Sequence, residues 1–210
     1  MASSTTKIEI KSPCLILVEG QDDKRFISQN LRFVNIDEGR CQVEPIGGKD
    51  SLRNRLEALV ISPEFVTVER LALLRDADTN AESAFQSCAG AIRAAQLDPP
   101  NSIGAFSEGT PRVGVFILPG YSRSGELEDL LLDSIEGCKR TGLAQEYLSR
   151  VKSAGLPTDK DSKAVVYSYL ACQERSGLRI GEATEKGYFP LNSPAFRPLQ
   201  DFLKEFASGT

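Results

Sequence analysis

Residues 14–20 read CLILVEG, a run of five apolar residues that leads directly into Glu19 and Gly20. A short apolar run bounded by a turn residue is typical of a strand that is buried on both faces. Residues 70–78 read RLALLRDAD and repeat the arrangement, with Asp76 and Asp78 after the apolar run. The carboxyl ends of parallel strands meet at one edge of a sheet. The two runs therefore predict a parallel sheet with an acidic edge.

The rest of the chain predicts further strands and helices around these two. We expect a central parallel sheet of about four strands, near 14–18, 41–46, 70–75 and 113–118. Between the strands, apolar residues recur at helical spacing, most clearly in 84–95. Strands that alternate with helices indicate βαβ units, with helices on both faces of the sheet. Helical spacing continues after the fourth strand through these residues: Leu143, Tyr147, Leu148, Val151, 162–173, Phe196, Leu199, Phe202, Leu203 and Phe206.

The length of the chain predicts one domain over 1–210, with a core at about 12–135 and a helical C-terminal extension at about 139–206. No apolar run approaches the ~20 residues that cross a bilayer, and the N-terminus lacks the apolar stretch of a secretory signal. We therefore expect a cytoplasmic protein without a membrane segment. Cys14, Cys41 and Cys88 lie in or beside apolar stretches, as reduced core thiols do.

The chain contains no histidine, and this excludes several kinds of chemistry. A Ser-His-Asp or Cys-His nucleophile cannot be built, and neither can a histidine general base. The net charge of −4 argues against strong nonspecific binding to nucleic acid through the overall field. Binding to phosphates would need a local basic surface or a bound cation.

The acids at the predicted edge favour a cation. Carboxylates that converge in one crevice repel each other unless a positive charge neutralises them. Oxygen ligands without histidine or thiolate favour Mg²⁺ or Mn²⁺, so we predict such an ion between Glu19, Asp76 and Asp78. Asp22 and Asp23 also have a structural interpretation, as acids in the first turn of a helix.

Two segments, LILVEGQDD and LLRDADTN, resemble the TOPRIM domain of topoisomerases, DnaG-type primases, RecR proteins and OLD-family nucleases. Asp76 in the second segment lies 57 residues after Glu19 in the first. The resemblance covers about 12–135 and implies a Rossmann-like TOPRIM fold. It is strongest to small stand-alone TOPRIM proteins related to the OLD nucleases. Three other segments resemble that subgroup: PIGGKDSLRNRL after the second strand, GELEDLLLD after the fourth, and KDSKAVVYSYLA near the end.

The resemblance implies a metal site and a set of catalytic residues. The metal ligands would be Glu19, Asp76 and Asp78, with Asp23 and Glu128 helping to hold a second cation. The catalytic residues would be Glu19, Asp76, Asp78, Glu128 and Lys163.

Several of these residues have alternative interpretations. Glu128 would be a helix-capping residue at position N3 if Gly125 is the N-cap, and Asp129 beside it is a weaker catalytic candidate. Lys163 would be an ordinary solvated helix lysine. The loop residues 122–124 would contact a phosphate or would simply be polar. Gly47 and Gly48 do not form a P-loop, because the required spacing is absent.

These observations predict a metal-dependent nuclease that hydrolyses phosphodiester bonds of DNA or RNA. The alternative is a non-catalytic, nucleic-acid-binding TOPRIM subunit of a larger complex with an ATPase. The sequence leaves the oligomeric state open, including a homo-oligomer.

Overall fold

A computed structural model describes residues 8–37, 39–48, 51–158 and 160–208. Within this part of the chain, four strands form one parallel sheet in the order β2-β1-β3-β4. Lys49, which follows the Gly47-Gly48 turn, lies outside the described residues, as does the N-terminal segment 1–7. The elements are β1 (Cys14–Val18), α1 (Gln21–Phe33), β2 (Cys41–Pro45), α2 (Leu52–Val60), β3 (Arg70–Asp76), α3 (Ala81–Ala94), β4 (Arg112–Leu118), α4 (Leu127–Ser134), α5 (Lys139–Ser153), α6 (Asp161–Ala171), α7 (Ile180–Glu185) and α8 (Arg197–Ala207).

The predicted α/β fold is confirmed, and strand boundaries differ by one residue at most. Each strand after the first is reached through a helical crossover, which is the connection that parallel strands require. The two central strands are apolar and almost wholly buried because helices cover both of their faces.

Side chains alternate between the two faces of the sheet with a period of two residues. Leu15 and Leu17 of β1 and Leu71 and Leu73 of β3 pack against α2 and α3. Ile16, with the other even-numbered residues of these strands, packs on the opposite face, where α1 and the helices from α4 onward lie. Full burial of each such side chain contributes roughly 1.5–3 kcal/mol.

The C-terminal helices share the core of that second face. In α8, Phe202 and Phe206 are buried and stack near the ring of Phe106, with the Phe106 and Phe202 ring centroids 4.8 Å apart. Gly114 of β4 makes this possible, because a Cβ there would lie 2.4 Å from the Phe106 ring.

Helix α5 forms where the spacing of its apolar residues predicts it, but only part of that apolar set is buried. Thr141, Ala144 and Leu148 are buried, whereas Leu143 and Tyr147 are more than half exposed. The reason is that α5 packs mainly on α6 at the rim of the molecule and covers only a narrow strip.

Among the residues that the structure describes, no helix is both long enough and apolar enough to span a membrane.

Candidate functional site

The acidic residues lie at the carboxyl edge of the sheet, as predicted. Glu19 follows β1 directly and Asp76 is the last residue of β3, the neighbouring strand. Two helices add further acids to the same edge, because α1 begins with Asp23 in its first turn and α4 with Glu128. Four carboxylates from four parts of the chain therefore lie at the same edge of the sheet.

Asp76 experiences the strongest electrostatic effect in this cluster. Its Oδ1 accepts the backbone N–H of Leu127, at the start of α4, at 3.0 Å. Burial and, to a smaller extent, the charges of Asp23, Glu19 and Glu128 nevertheless raise the pKa of Asp76 to about 8. The carboxylates lie close enough to repel each other.

Asp23 accepts a structural hydrogen bond and also has a raised pKa. Its Oδ2 accepts the backbone N–H of Gly20 at 2.8 Å, which caps the N-terminus of α1. Burial raises the pKa of Asp23 to about 6, and the charges of Glu19 and Glu128 act in the same direction. The interpretation of Asp23 as a first-turn acid and its interpretation as a member of the site are therefore compatible.

Glu19 lies beside an arginine that the sequence interpretation did not include. The register pairs Leu17 with Leu73, so Glu19 falls next to Arg75 two residues later. The Nε of Arg75 is 3.5 Å from Oε1 of Glu19, and both side chains are largely buried. The Nη1 of Arg75 donates to Oγ of Ser87 on α3 at 2.8 Å. The period-two alternation of β3, extended to its end, is the signal that could have predicted Arg75.

Glu128 is buried within the first turn of α4, although it carries a formal charge. Burial raises its pKa, and the nearby charge of Lys163 on α6 lowers it in part. Lys163 is half-buried rather than fully solvated. The structure therefore brings Glu128 and Lys163 to the cluster together.

Asp78 makes a different contact from the other predicted ligands. Its Oδ1 lies 3.4 Å from Nζ of Lys160, and the same ammonium group pairs with Glu126. The backbone of Asp78 is left-handed, with φ 50°, and its carbonyl oxygen accepts the N–H of Gly125 at 2.8 Å. Neither Lys160 nor Glu126 was a predicted site residue, and nothing local in the sequence links them to Asp78.

The donors are oxygen atoms, as a hard divalent cation prefers, but they are not arranged as a closed cage. Across the described ranges, no group of three aspartate, glutamate or cysteine side chains has the spacing of metal ligands. Asp23, Asp76 and Glu19 each contact a protein hydrogen-bond donor or cation. The set therefore fits Mg²⁺ or Mn²⁺ by chemistry, and joint coordination would require these side chains to rotate.

The expected cap of α4 was wrong by one residue. The N-cap is Glu126 rather than Gly125, so position N3 is Asp129 rather than Glu128. Gly125 is held outside the helix by its bridge to Asp78. Oδ2 of Asp129 accepts the N–H of Glu126 at 2.7 Å, which leaves Glu128 without the capping role.

This assignment predicts a stability difference between two variants of Asp129. Asp129→Ala removes the acceptor for the Glu126 N–H and should cost about 1 kcal/mol, or roughly 2–4 °C in Tm. Asp129→Asn keeps an acceptor and should cost less than half as much. Thermal melts of both variants against wild type measure this, and equal losses would contradict the capping role.

The charge of Arg123, in the loop after β4, is paired with an acid on α4. Nη1 of Arg123 is 2.6 Å from Oδ2 of Asp133 on α4, which fastens the loop to the helix. Ser122 and Ser124 are exposed. A phosphate contact by this segment stays a prediction.

These features define an α/β protein with a cluster of carboxylates at the carboxyl edge of a parallel sheet. The chain belongs to the family described as "Protein of unknown function (DUF3226)", whose family model matches residues 13–208. No curated protein matches it.

Solved structures of the C-terminal region of the Xanthomonas campestris pv. campestris OLD protein are similar to this chain over most of their length. The structure phased with mercury shares 14% identity and covers 93% of this chain and 96% of its own, with a TM-score of 0.45. The structure phased with iodine shares 16% identity with the same coverage and a TM-score of 0.46. A likeness at this level says nothing about the activity of this chain.

Proposed function

We propose that this protein is a TOPRIM-type, metal-dependent phosphodiesterase that cleaves nucleic acid in the cytoplasm. The observation that carries the proposal is the meeting of Glu19, Asp23, Asp76 and Glu128 at one edge of the sheet. Isolated helix caps would not explain it, because four acids from separate elements destabilise each other through burial and like charge. Perturbed carboxylates in such a position are typical of functional sites.

The proposed ligands are Glu19, Asp76 and Asp78 for a first Mg²⁺ or Mn²⁺, with Asp23 and Glu128 for a second. Cations held there would supply charge neutralisation and would activate water for attack on a phosphodiester. Without such a positive charge the cluster would repel a phosphate group. The TOPRIM-like segments LILVEGQDD and LLRDADTN place their acids at these same positions, which supports the assignment.

The chain's own residues account for the remaining steps. The ammonium group of Lys163, beside Glu128, is suited to stabilise the negative charge that develops on the phosphate. Because the chain has no histidine, the base would be a hydroxide on the cation or one of Glu19, Asp76 and Asp78. Arg75 holds Glu19 at the end of β1 and is a positioning residue.

Metal binding should be visible as a stability gain, independent of any cleavage. An ion that binds only the folded state at 100 times its Kd adds about 2.7 kcal/mol, which corresponds to roughly 5–10 °C in Tm. We expect millimolar Mn²⁺ or Mg²⁺ to raise the Tm of wild type by several degrees over that in EDTA. Glu146→Gln, on exposed α5, should respond like wild type, whereas Asp76→Asn should not respond.

Cleavage assays with single- and double-stranded DNA and RNA test the activity itself. A metal-dependent Tm shift with no cleavage of any substrate would favour the alternative, a nucleic-acid-binding subunit that works with an ATPase. The absence of both the shift and the cleavage would contradict the proposal and leave only the fold.

A further inference from the structure

An exposed tyrosine with a strained backbone lies beside the candidate site. Tyr121 is 65% exposed and belongs to the loop between β4 and α4. Its φ of 53° places it in the left-handed region, which costs a residue with a Cβ roughly 1–2 kcal/mol. Glycine or asparagine would fit this position at lower cost. The bulky side chain is therefore kept against a local preference.

A second residue with a left-handed backbone lies on the neighbouring connection. Asp78, in the loop after β3, has a φ of 50°. Strained residues persist only where the surrounding structure over-determines them, and they concentrate at ligand-binding and active sites. Asp78 and Tyr121 follow the two adjacent strands β3 and β4, so they flank the same stretch of the carboxyl edge.

The loop that carries Tyr121 is fastened at three points. The Ala77 N–H donates to the carbonyl oxygen of Leu118 at 2.8 Å where the loop begins, and the Gly125 N–H donates to that of Asp78 at 2.8 Å where it ends. Between these points, Arg123 pairs with Asp133. Leu118 is the register partner of Asp76. Three residues of chain span at most about 11 Å, so the Cα of Tyr121 lies within that distance of the Cα of Leu118.

From this placement we infer that Tyr121 is a stacking platform for an unpaired nucleobase next to the phosphate held at the carboxylates. The inference rests on the proposed function and deepens it, because it names single-stranded nucleic acid as the substrate class. A side chain can stack on the face of a base only where the base is not already stacked in a duplex. With a net charge of −4, the chain gains little phosphate affinity from its overall field, and stacking supplies affinity that does not depend on charge.

The absence of tryptophan from the chain permits a direct test. Tyr121→Trp introduces a single indole at the proposed platform, and Tyr147→Trp introduces one at an exposed site on α5. Both variants are titrated with oligothymidylate and with an abasic strand of equal length, in Ca²⁺ to limit cleavage. We expect oligothymidylate to quench the Tyr121→Trp fluorescence, while the abasic strand and the Tyr147→Trp variant show no quenching.

Affinity provides a second measurement, by anisotropy of labelled single-stranded and duplex DNA. Tyr121→Ala should weaken single-strand binding about 5- to 100-fold, and Tyr121→Phe should bind like wild type because stacking needs no hydroxyl group. Duplex binding should not change. Tyr121→Asn should lose affinity like alanine while its Tm rises by about 2–4 °C, because asparagine fits the left-handed backbone. That rise would show that lost binding does not come from lost folding.

The outcomes separate this inference from the proposed function. Binding of oligothymidylate without quenching, or with full affinity in Tyr121→Ala, overturns the stacking role and leaves the phosphodiesterase proposal intact. An equal loss of affinity for duplex and single strand overturns the substrate class. If wild type binds neither probe with Ca²⁺ present, and cleaves neither with Mn²⁺, both proposals fall.

Discussion

Asp76→Asn is expected to reduce metal-dependent cleavage by at least about a thousandfold, which corresponds to ~4 kcal/mol of transition-state stabilisation. Asparagine keeps the size of the side chain and its acceptor for the Leu127 N–H, but it removes the charge that a hard cation needs. Asp76 also lies at the centre of the cluster, because its pKa responds to three other acids. Cleavage rates under single-turnover conditions in Mn²⁺ measure the loss.

Matched substitutions distinguish the site from the rest of the acidic surface. Glu19→Gln should reduce cleavage to a similar extent, whereas Asp201→Asn should not, because Asp201 is exposed on α8 and pairs only locally with Lys204. Circular dichroism should show every variant folded. If Asp76→Asn retains the wild-type rate while cleavage depends on added metal, the catalytic centre lies elsewhere in the molecule.

The sheet could be predicted from the sequence because its central strands are buried on both faces. A short, unbroken apolar run such as 14–18 is accommodated in few positions of a folded chain other than a buried strand. The strands then determine the position of the acids that follow these runs, since the carboxyl ends of parallel strands lie at one edge of the sheet. Glu19 and Asp76 were therefore predictable from their place in the chain alone.

The contacts of those acids were not predictable in the same way. Asp78 meets Lys160, 82 residues later in the chain, and no local pattern specifies that encounter. The capping of α4 by Asp129 rather than Glu128 depends on one backbone bridge that delays the start of the helix by a residue. A shift of one position exchanges the capping and site-facing acids, because neighbouring helix residues point in different directions.

In α5, the spacing of apolar residues predicted the helix but did not determine which of those residues are buried. The spacing of apolar residues indicates that a helix has an apolar face, but it does not indicate how much of that face is covered by adjacent helices. Leu143 and Tyr147 remain exposed because α5 lies at the rim. Burial in the centre of the sheet is fixed by connectivity, while burial at the rim depends on tertiary packing.

In EDTA, the stability of wild type is expected to fall as pH rises from about 4 to about 8. The pKa of Asp76 is about 8 in the folded protein against 3.8 as its ordinary value, so in this range the folded state holds a proton that the unfolded state has released. Stability decreases with pH wherever the folded state binds more protons. Each pKa unit is worth about 1.4 kcal/mol, so the fall amounts to several kcal/mol. Asp23, raised to about 6, adds to the lower part of the same range.

Asp76→Asn removes the group that dominates this dependence and should flatten it. Near pH 8 in EDTA the variant should be more stable than wild type by several kcal/mol, or roughly 10–20 °C in Tm, and near pH 4 the two should melt together. Mn²⁺ should flatten the wild-type curve as well, because a bound cation favours the charged carboxylate. Urea titrations at intervals between pH 4 and pH 8 measure all three curves. Parallel curves for wild type and Asp76→Asn would mean that the Asp76 carboxyl is ionised throughout, and the repulsion from which the metal site was inferred would be absent.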